Sequence, residues 1–213
     1  MRVPHVAQHN SPLPQCAGID GIAALAILAG ARAHALVLPH MSAIHDWSQV
    51  SKDKTRDVEI NRPMAKAAGI ALGVALARPD QDVWVLDGDG SLLMHLGSLV
   101  TIANAAPRNL LQVVYQNGTY DSTGGQPVPS GASVNFAAAA KAAGYNSAFT
   151  EASVESLSAN LVKILEAPRP TLLALKVAPG PPRPYPDVQG TSANLKRLQS
   201  LLAKTAPITE PQA

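Results

Sequence analysis

Short runs of consecutive apolar residues alternate along this chain with longer stretches of helical length. The short runs are Ala35–Leu38, Val83–Leu86, Leu110–Tyr115, Ala148–Thr150 and Thr171–Val177. Unbroken apolar sequence of this length suits strands buried on both faces of a parallel sheet. The helical stretches lie between them. Ile22–Ala31 is Ala-, Leu- and Ile-rich, with Gly30 as its C-cap. Pro63 stands at a helix start, where its missing N–H does no harm, and leads into Met64–Arg78. Ser91 opens a helix running to about Asn104, Val134–Ala143 stops at Gly144, and Ser153 caps Val154–Glu166. Ser192–Lys204 is a short amphipathic helix. His40–Asn61 and Asn117–Gly131 read as loops.

Strands separated by helices of this length imply right-handed βαβ units. The expected fold is α/β, three layers, with a central mainly parallel sheet between helices. Residues 1–20 read as an N-terminal extension and 21–178 as the binding domain. Residues 179–213 read as a Pro-rich exit, a short helix and a tail; Pro179, Pro181, Pro182, Pro184 and Pro186 stiffen the exit. Ligands in such folds sit at the carboxyl ends of the strands, so the loops after Leu86 and Tyr115 are expected to meet in space.

Composition narrows this picture. Charged residues make up 15% of the chain against 46% apolar. Average soluble domains carry roughly 25% charge, so a buried subunit interface is expected. The net charge of +2 and 4% aromatics leave neither a basic nucleic-acid footprint nor a base-stacking platform. Cys16 is the single cysteine, which excludes a disulfide framework. Arg32 and His34 interrupt the most apolar stretch, Ile22–Leu38, and Met1–Gln15 lacks the apolar core of a signal peptide. The chain therefore reads as soluble and cytoplasmic, without a membrane span.

The chemistry begins at Asp87-Gly88-Asp89-Gly90-Ser91, at the end of a buried strand. Two glycines permit a tight turn and a close backbone approach, and a following helix start suits a phosphate. Asp89 is a hard oxygen donor beside that phosphate site, and Mg²⁺ commonly bridges such a carboxylate and a diphosphate. The plainer alternative is a turn with an aspartate helix cap. Asn117 follows 28 positions later, after one helix and one strand. That crossover places its amide oxygen beside Asp89, with the carbonyl near Thr119 as a third donor.

Asp89 and Asn117 at this spacing resemble the thiamine-diphosphate-binding motif. The strings GDGSLLM, GSL and YDSTGGQP make the resemblance more specific. Over roughly Arg62–Val177 the chain resembles the diphosphate-binding (PP) domain of the sulfopyruvate and phosphonopyruvate decarboxylases. The resemblance implies the thiamine-diphosphate-binding fold, with Asp89, Asn117 and the Thr119 carbonyl holding Mg²⁺. It implies a diphosphate cradle of Gly88, Gly90, Ser91 and Leu92, with Ser42 and Tyr120 at its edge. Met64 is the matching bulky prop beneath the cofactor, and the Arg62 carbonyl faces the pyrimidine amino group. Relatives commonly place Gly after that prop, where this chain has Ala65.

Two histidines are weaker candidates. His40 stands within reach of cofactor or substrate, and His95 occupies a position where relatives often have Asn. For His40, Ser42, Asp46, Trp47 and Tyr120–Ser122 the alternative is an ordinary loop or packing residue. Tyr120–Gln126 is a loop able to close, with Gly124-Gly125 as a hinge. Arg62 and Lys66 are candidate contacts for an acidic substrate tail.

The resemblance also implies a glutamate that activates the cofactor, supplied by a separate pyrimidine-binding domain. The chain is therefore expected to be a beta-type subunit of a lyase that decarboxylates a small 2-oxo acid. Its expected cofactors are thiamine diphosphate and Mg²⁺. Its partner is a pyrimidine-domain subunit in a hetero-oligomer such as a dimer of heterodimers. An acetolactate-synthase-like carboligase subunit, a phosphate-binding module without catalysis, and a structural or regulatory subunit are the alternatives.

Overall fold

The computed structural model describes residues 18–131, 133–181, 183 and 190–203. The expectations for Met1–Gln15, Pro182, Pro184, Pro186 and the tail from Lys204 lie outside these residues. Among the described residues no helix is long and apolar enough to cross a membrane.

Five strands form the central sheet: β1 (Leu36–Pro39), β2 (Val83–Gly88), β3 (Leu110–Gln116), β6 (Ser147–Glu151) and β7 (Thr171–Lys176). They run in the order β1-β2-β3-β7-β6, and every pair is parallel. Asp57–Ile60 runs alongside the free edge of β1, with Val58 N–H donating to the Val37 carbonyl at 2.8 Å. Ile19 pairs in parallel with Val177 just past the end of β7. Both short pairings cover edge groups that would otherwise need water.

Two apolar layers lie on opposite faces of this sheet. Alternate residues of each strand point to opposite sides, so β2 sends Val83 and Val85 one way and Trp84 and Leu86 the other. The first face is covered by α3 (Ala67–Ala77), α4 (Asp89–Met94), α5 (Ser98–Ala105), α6 (Phe136–Ala143) and α8 (Thr191–Ala203). The second is covered by α1 (Gly21–Ala31), α2 (Ser42–Val50) and α7 (Val154–Glu166). The result is the expected three-layer α/β/α arrangement, and the domain core extends into the C-terminal helix: Leu198 of α8 is buried against the first face.

Local chemistry accounts for most helix ends. Asp20, Asn135 and Ser153 accept from Ala23, Ala138 and Ser156 N–H at the starts of α1, α6 and α7. Gly144 closes α6 with a φ of +107°.

Several expectations need correction. Gly30 lies inside α1, whose C-cap is Arg32, because the Arg32 side chain is drawn inward to the Ala35 carbonyl and to Ser51. His40–Asn61 contains α2, whose apolar stripe Ala43, Ile44 and Trp47 is buried, and a 3₁₀ turn at Lys54–Arg56. The third helix begins at Ala67 rather than Met64, because Arg62 and Ala65 hold φ of +75° and +66°. The helix expected over Ser91–Asn104 is two helices, with His95 at φ −142° ending α4 before Gly97 starts the next.

Asn117–Gly131 also holds more than a loop. It carries the two-stranded ladder β4 (Thr119–Tyr120) and β5 (Gln126–Pro127), separate from the main sheet. Gly124 and Gly125 turn the hairpin at φ +113° and +77°, values that glycine adopts without steric cost.

Candidate functional site

Parallel register sets the site. β1, β2 and β3 end together, so the segments after Pro39, Gly88 and Gln116 emerge on one side of the sheet. Ser42, Met64, Gly88, Asp89, Gly90, Ser91, Asn117, Thr119 and Tyr120 line a single cleft there. Met41, Tyr115, Asp121 and Ser122 complete its wall. Leu92 packs into the first apolar layer, and Arg62 lines an open groove beside α8.

Asp89 is 2% exposed and lies at the centre of the cleft. Its Oδ1 accepts from its neighbour Gly90 N–H at 2.8 Å, and its Oδ2 accepts from Gly118 N–H at 2.7 Å. The second bond crosses from the end of β2 to the end of β3, so it joins the two loops directly. Burial pushes the Asp89 carboxyl up to about 6; the Asp121 charge adds to this, against the two backbone donors.

Asp121 is the neighbouring hub; the sequence placed it among the weaker candidates of the Tyr120–Ser122 loop and gave it no specific role. Its Oδ1 accepts from Thr119 Oγ1 at 2.5 Å. Its Oδ2 accepts from Ser42 Oγ at 2.7 Å and from Asn117 Nδ2 at 3.0 Å. The Asn117 Oδ1 in turn accepts from Thr119 N–H at 3.1 Å. The available signal was Asp121 itself, an acidic residue among hydroxyls in YDSTGG.

Arg183 reaches this hub from the Pro-rich exit. Its guanidinium donates to Asp46 Oδ1 at 2.5 Å and lies 4.0 Å from Asp121 Oδ2. Asp46 also accepts from the Tyr115 hydroxyl, whose pKa is raised by burial and by that carboxylate. Gly21 is required here: a Cβ at that position would sit 1.8 Å from the Tyr115 hydroxyl oxygen.

The other sequence candidates fall elsewhere. His40 is fully buried, with Nδ1 2.9 Å from Asp87 Oδ1. Its Nε2 has no hydrogen-bond partner among the described residues. His95 is exposed, outside the cleft wall, with Nδ1 3.3 Å from the Ala65 carbonyl oxygen. Trp47 is a packing residue, buried with Nε1 donating to Asp57 at 2.9 Å. Lys66 is exposed.

The donor set fits a hard divalent cation beside a phosphate. Asp89 brings a carboxylate into the wall that also holds the Asn117 amide oxygen and the carbonyl at Thr119, while the Asp121 oxygens are engaged by Ser42, Asn117 and Thr119. Oxygen donors of this kind suit Mg²⁺, which takes few protein ligands and completes its shell with water and phosphate. The cleft is nearly closed, at about 20 Å³, because the Tyr120 ring lies on Gly90. A Cβ on Gly90 would meet that ring at 2.3 Å, so the glycine makes this approach possible. As it stands, the cleft has no room for a phosphate group.

Met64 N–H donates to the Arg62 carbonyl at 2.7 Å, a tight turn that presents Met64 to the cleft. Ala65 N–H donates to Ser91 Oγ at 3.0 Å and locks the turn onto α4. Ala65 holds a left-handed φ, which costs an L-residue about 1–2 kcal/mol. Ala65→Gly removes that cost but frees the unfolded chain by about 0.4–1 kcal/mol. The expected net gain is about 0.5–1 kcal/mol, read as a rise of a few degrees in Tm; a fall would mean that the turn stores no strain.

Comparison with known proteins places this geometry. The family described as thiamine pyrophosphate enzyme, C-terminal TPP binding domain, matches residues 41–175. A phosphonopyruvate decarboxylase of Streptomyces viridochromogenes is 47% identical over 117 residues, 55% of this chain and 29% of that protein. The chain thus spans under a third of the length of that relative. The sulfopyruvate decarboxylase subunit beta of Methanocaldococcus jannaschii is 37% identical over 128 residues, 60% of this chain and 67% of that subunit. Among solved structures, a thiamine diphosphate-dependent 4-hydroxybenzoylformate decarboxylase of Rhodococcus jostii shares the fold. Its TM-score is 0.63 at 21% identity, over 84% of this chain and 36% of that one. With well over half of its residues inside the matched domain, the chain belongs to the thiamine pyrophosphate enzymes and carries their C-terminal TPP-binding domain.

Proposed function

We propose that this chain is the diphosphate-binding subunit of a cytoplasmic, thiamine-diphosphate- and Mg²⁺-dependent 2-oxo acid decarboxylase, a carbon–carbon lyase that works with a partner chain. The observation that carries this reading is the junction of Asp89 with the Asn117–Thr119 loop across the ends of β2 and β3. The names of the relatives, decarboxylases and a subunit beta, support the reaction class and the need for a partner.

In this reading Asp89, Asn117 and the Thr119 carbonyl hold Mg²⁺, and Gly88, Gly90 and Ser91 cradle the diphosphate. When bound, thiamine diphosphate supplies a thiazolium ring that takes up the electron pair left as CO₂ departs from a 2-oxo acid. The residues of this chain bind and orient. Met64 presents an apolar face in the cleft, Ser42 ties the end of β1 to the loop after β3, and Tyr120 excludes water when the hairpin closes. Neither histidine is placed to exchange a proton in the cleft: His40 is buried against Asp87 and His95 is outside the wall. In this reading the activating glutamate that the family resemblance implies comes from a pyrimidine-domain subunit.

The test is purification of the tagged chain from its own cells in Mg²⁺, followed by mass spectrometry and a screen of 2-oxo acids. A co-purifying chain with a pyrimidine-binding domain, bound thiamine diphosphate and turnover only by the pair are expected. A lone chain indifferent to added thiamine diphosphate would indicate a phosphate-binding module instead. Turnover by the lone chain would remove the partner requirement.

A further inference from the structure

We infer that Asp121 is a positioning residue whose carboxylate fixes which end of the Asn117 amide faces the cation, and so sets the affinity of the cleft for divalent metal. This rests on the cation-site reading above.

The two ends of an asparagine amide have nearly the same shape and opposite hydrogen-bonding character. Only the oxygen can ligate a cation. Something other than shape must therefore choose the orientation, and two neighbours do so here. Asp121 Oδ2 lies 3.0 Å from Asn117 Nδ2, and an ionised carboxylate only accepts. Thr119 N–H only donates, and it lies 3.1 Å from Asn117 Oδ1. Turning the amide over would set oxygen against oxygen and N–H against N–H at once. With Nδ2 committed to Asp121, Oδ1 keeps a second lone pair for a metal.

Asp121 can hold this post because its own oxygens are engaged. Ser42 Oγ and Thr119 Oγ1 donate to it at 2.7 and 2.5 Å. The carboxylate is 5% exposed and cannot swing away without leaving both hydroxyls unpaired. Ser42 comes from the start of α2, so the orientation of one metal-facing amide is set jointly by the ends of β1 and β3. Partners that orient a ligand from behind commonly change metal affinity by about ten- to a hundredfold when removed.

The experiment measures Mn²⁺ binding by electron paramagnetic resonance, with thiamine diphosphate present, on the full chain in the assembly in which it purifies. Asp121→Leu removes the acceptor with a side chain of similar size, and is expected to weaken Mn²⁺ about ten- to a hundredfold. The decisive arm repeats Asp121→Leu in an Asn117→Asp background. There is then no amide to orient, so the second substitution is expected to leave Mn²⁺ affinity equal or higher.

An equal loss in both backgrounds overturns the inference, because Asp121 would then be a ligand itself or a general support of the loop. Unchanged affinity in Asp121→Leu alone also overturns it. So does complete loss of binding in Asn117→Asp alone, since an oxygen is all that the orientation supplies. Failure of the unsubstituted chain to bind Mn²⁺ is a separate result: it removes the cation-site reading, and this inference with it.

Discussion

Asp89→Ala is expected to weaken Mg²⁺-dependent thiamine diphosphate binding more than a hundredfold while the chain stays folded. At least about 2.7 kcal/mol of binding is lost in such a change. Asp89 is the buried carboxylate that bridges the ends of β2 and β3. Its negative charge is also what the unliganded fold bears at a cost. The folded carboxyl is pushed up to about 6, against about 3.9 for an unfolded aspartate. The folded state therefore holds a proton more tightly, and stability is greater at low pH. The contribution is fully present below about pH 4 and declines as pH rises through about 6. The shift of about 2 units corresponds to at most about 3 kcal/mol. Asp89→Ala flattens that segment of the pH profile. It also leaves the Gly118 N–H without its acceptor, at about 1–3 kcal/mol, so the two changes nearly offset at pH 7. Calorimetric titration with cofactor and urea melts at pH 4.5 and 7 check both halves. Unchanged cofactor affinity would falsify the placement of Mg²⁺ at Asp89.

The largest loss of stability is expected from Asp57→Ala, far from the chemistry. Asp57 is 5% exposed and accepts from Trp47 Nε1 at 2.9 Å and Ser51 Oγ at 2.6 Å. Its Oδ1 also pairs with Arg32 Nη1 at 2.8 Å. The Arg32 guanidinium is equally buried, and its Nη2 has no hydrogen-bond partner among the described residues. It lies 5.6 Å from the centre of the Trp47 ring. Removing the carboxylate leaves a buried charge with only neutral partners, which costs about 3–5 kcal/mol. Denaturant melts of the variant measure it. A loss under about 1 kcal/mol would mean that Arg32 escapes to water. Arg32→Met with Asp57→Leu is expected to recover only part of the loss: an apolar pair needs no counter-charge, but Trp47 Nε1 and Ser51 Oγ still lose their acceptor.

These two residues differ in how far the sequence announced them. Asp89 stands in DGDGS at the end of an apolar strand, with Asn117 one helix and one strand later. Strand period and spacing are local properties, so the parallel sheet, the succession of elements along the chain and the nearness of these two loops were readable from the chain. The apolar runs identified all five sheet strands because burial on both faces leaves little polar alternation to confuse the reading. The caps at Ser153 and Gly144 were readable for the same reason, since each acts within one turn.

What the sequence did not show depends on partners distant along the chain. The second helix reads as polar loop because Asp46 is buried only through Tyr115 and Arg183, 69 and 137 positions away. The turn at Arg62–Ala65 reads as helix because nothing local announces two left-handed residues; Ser91, 26 positions on, holds it. Asp121 read as one polar loop residue among several until folding brought Ser42 to it across 79 positions. Thus the apolar pattern and the Asp89–Asn117 spacing determined the fold class and the position of the candidate site. Only tertiary structure decided which buried charges are paired and which way an amide faces, because both depend on groups that become neighbours only after the sheet has formed.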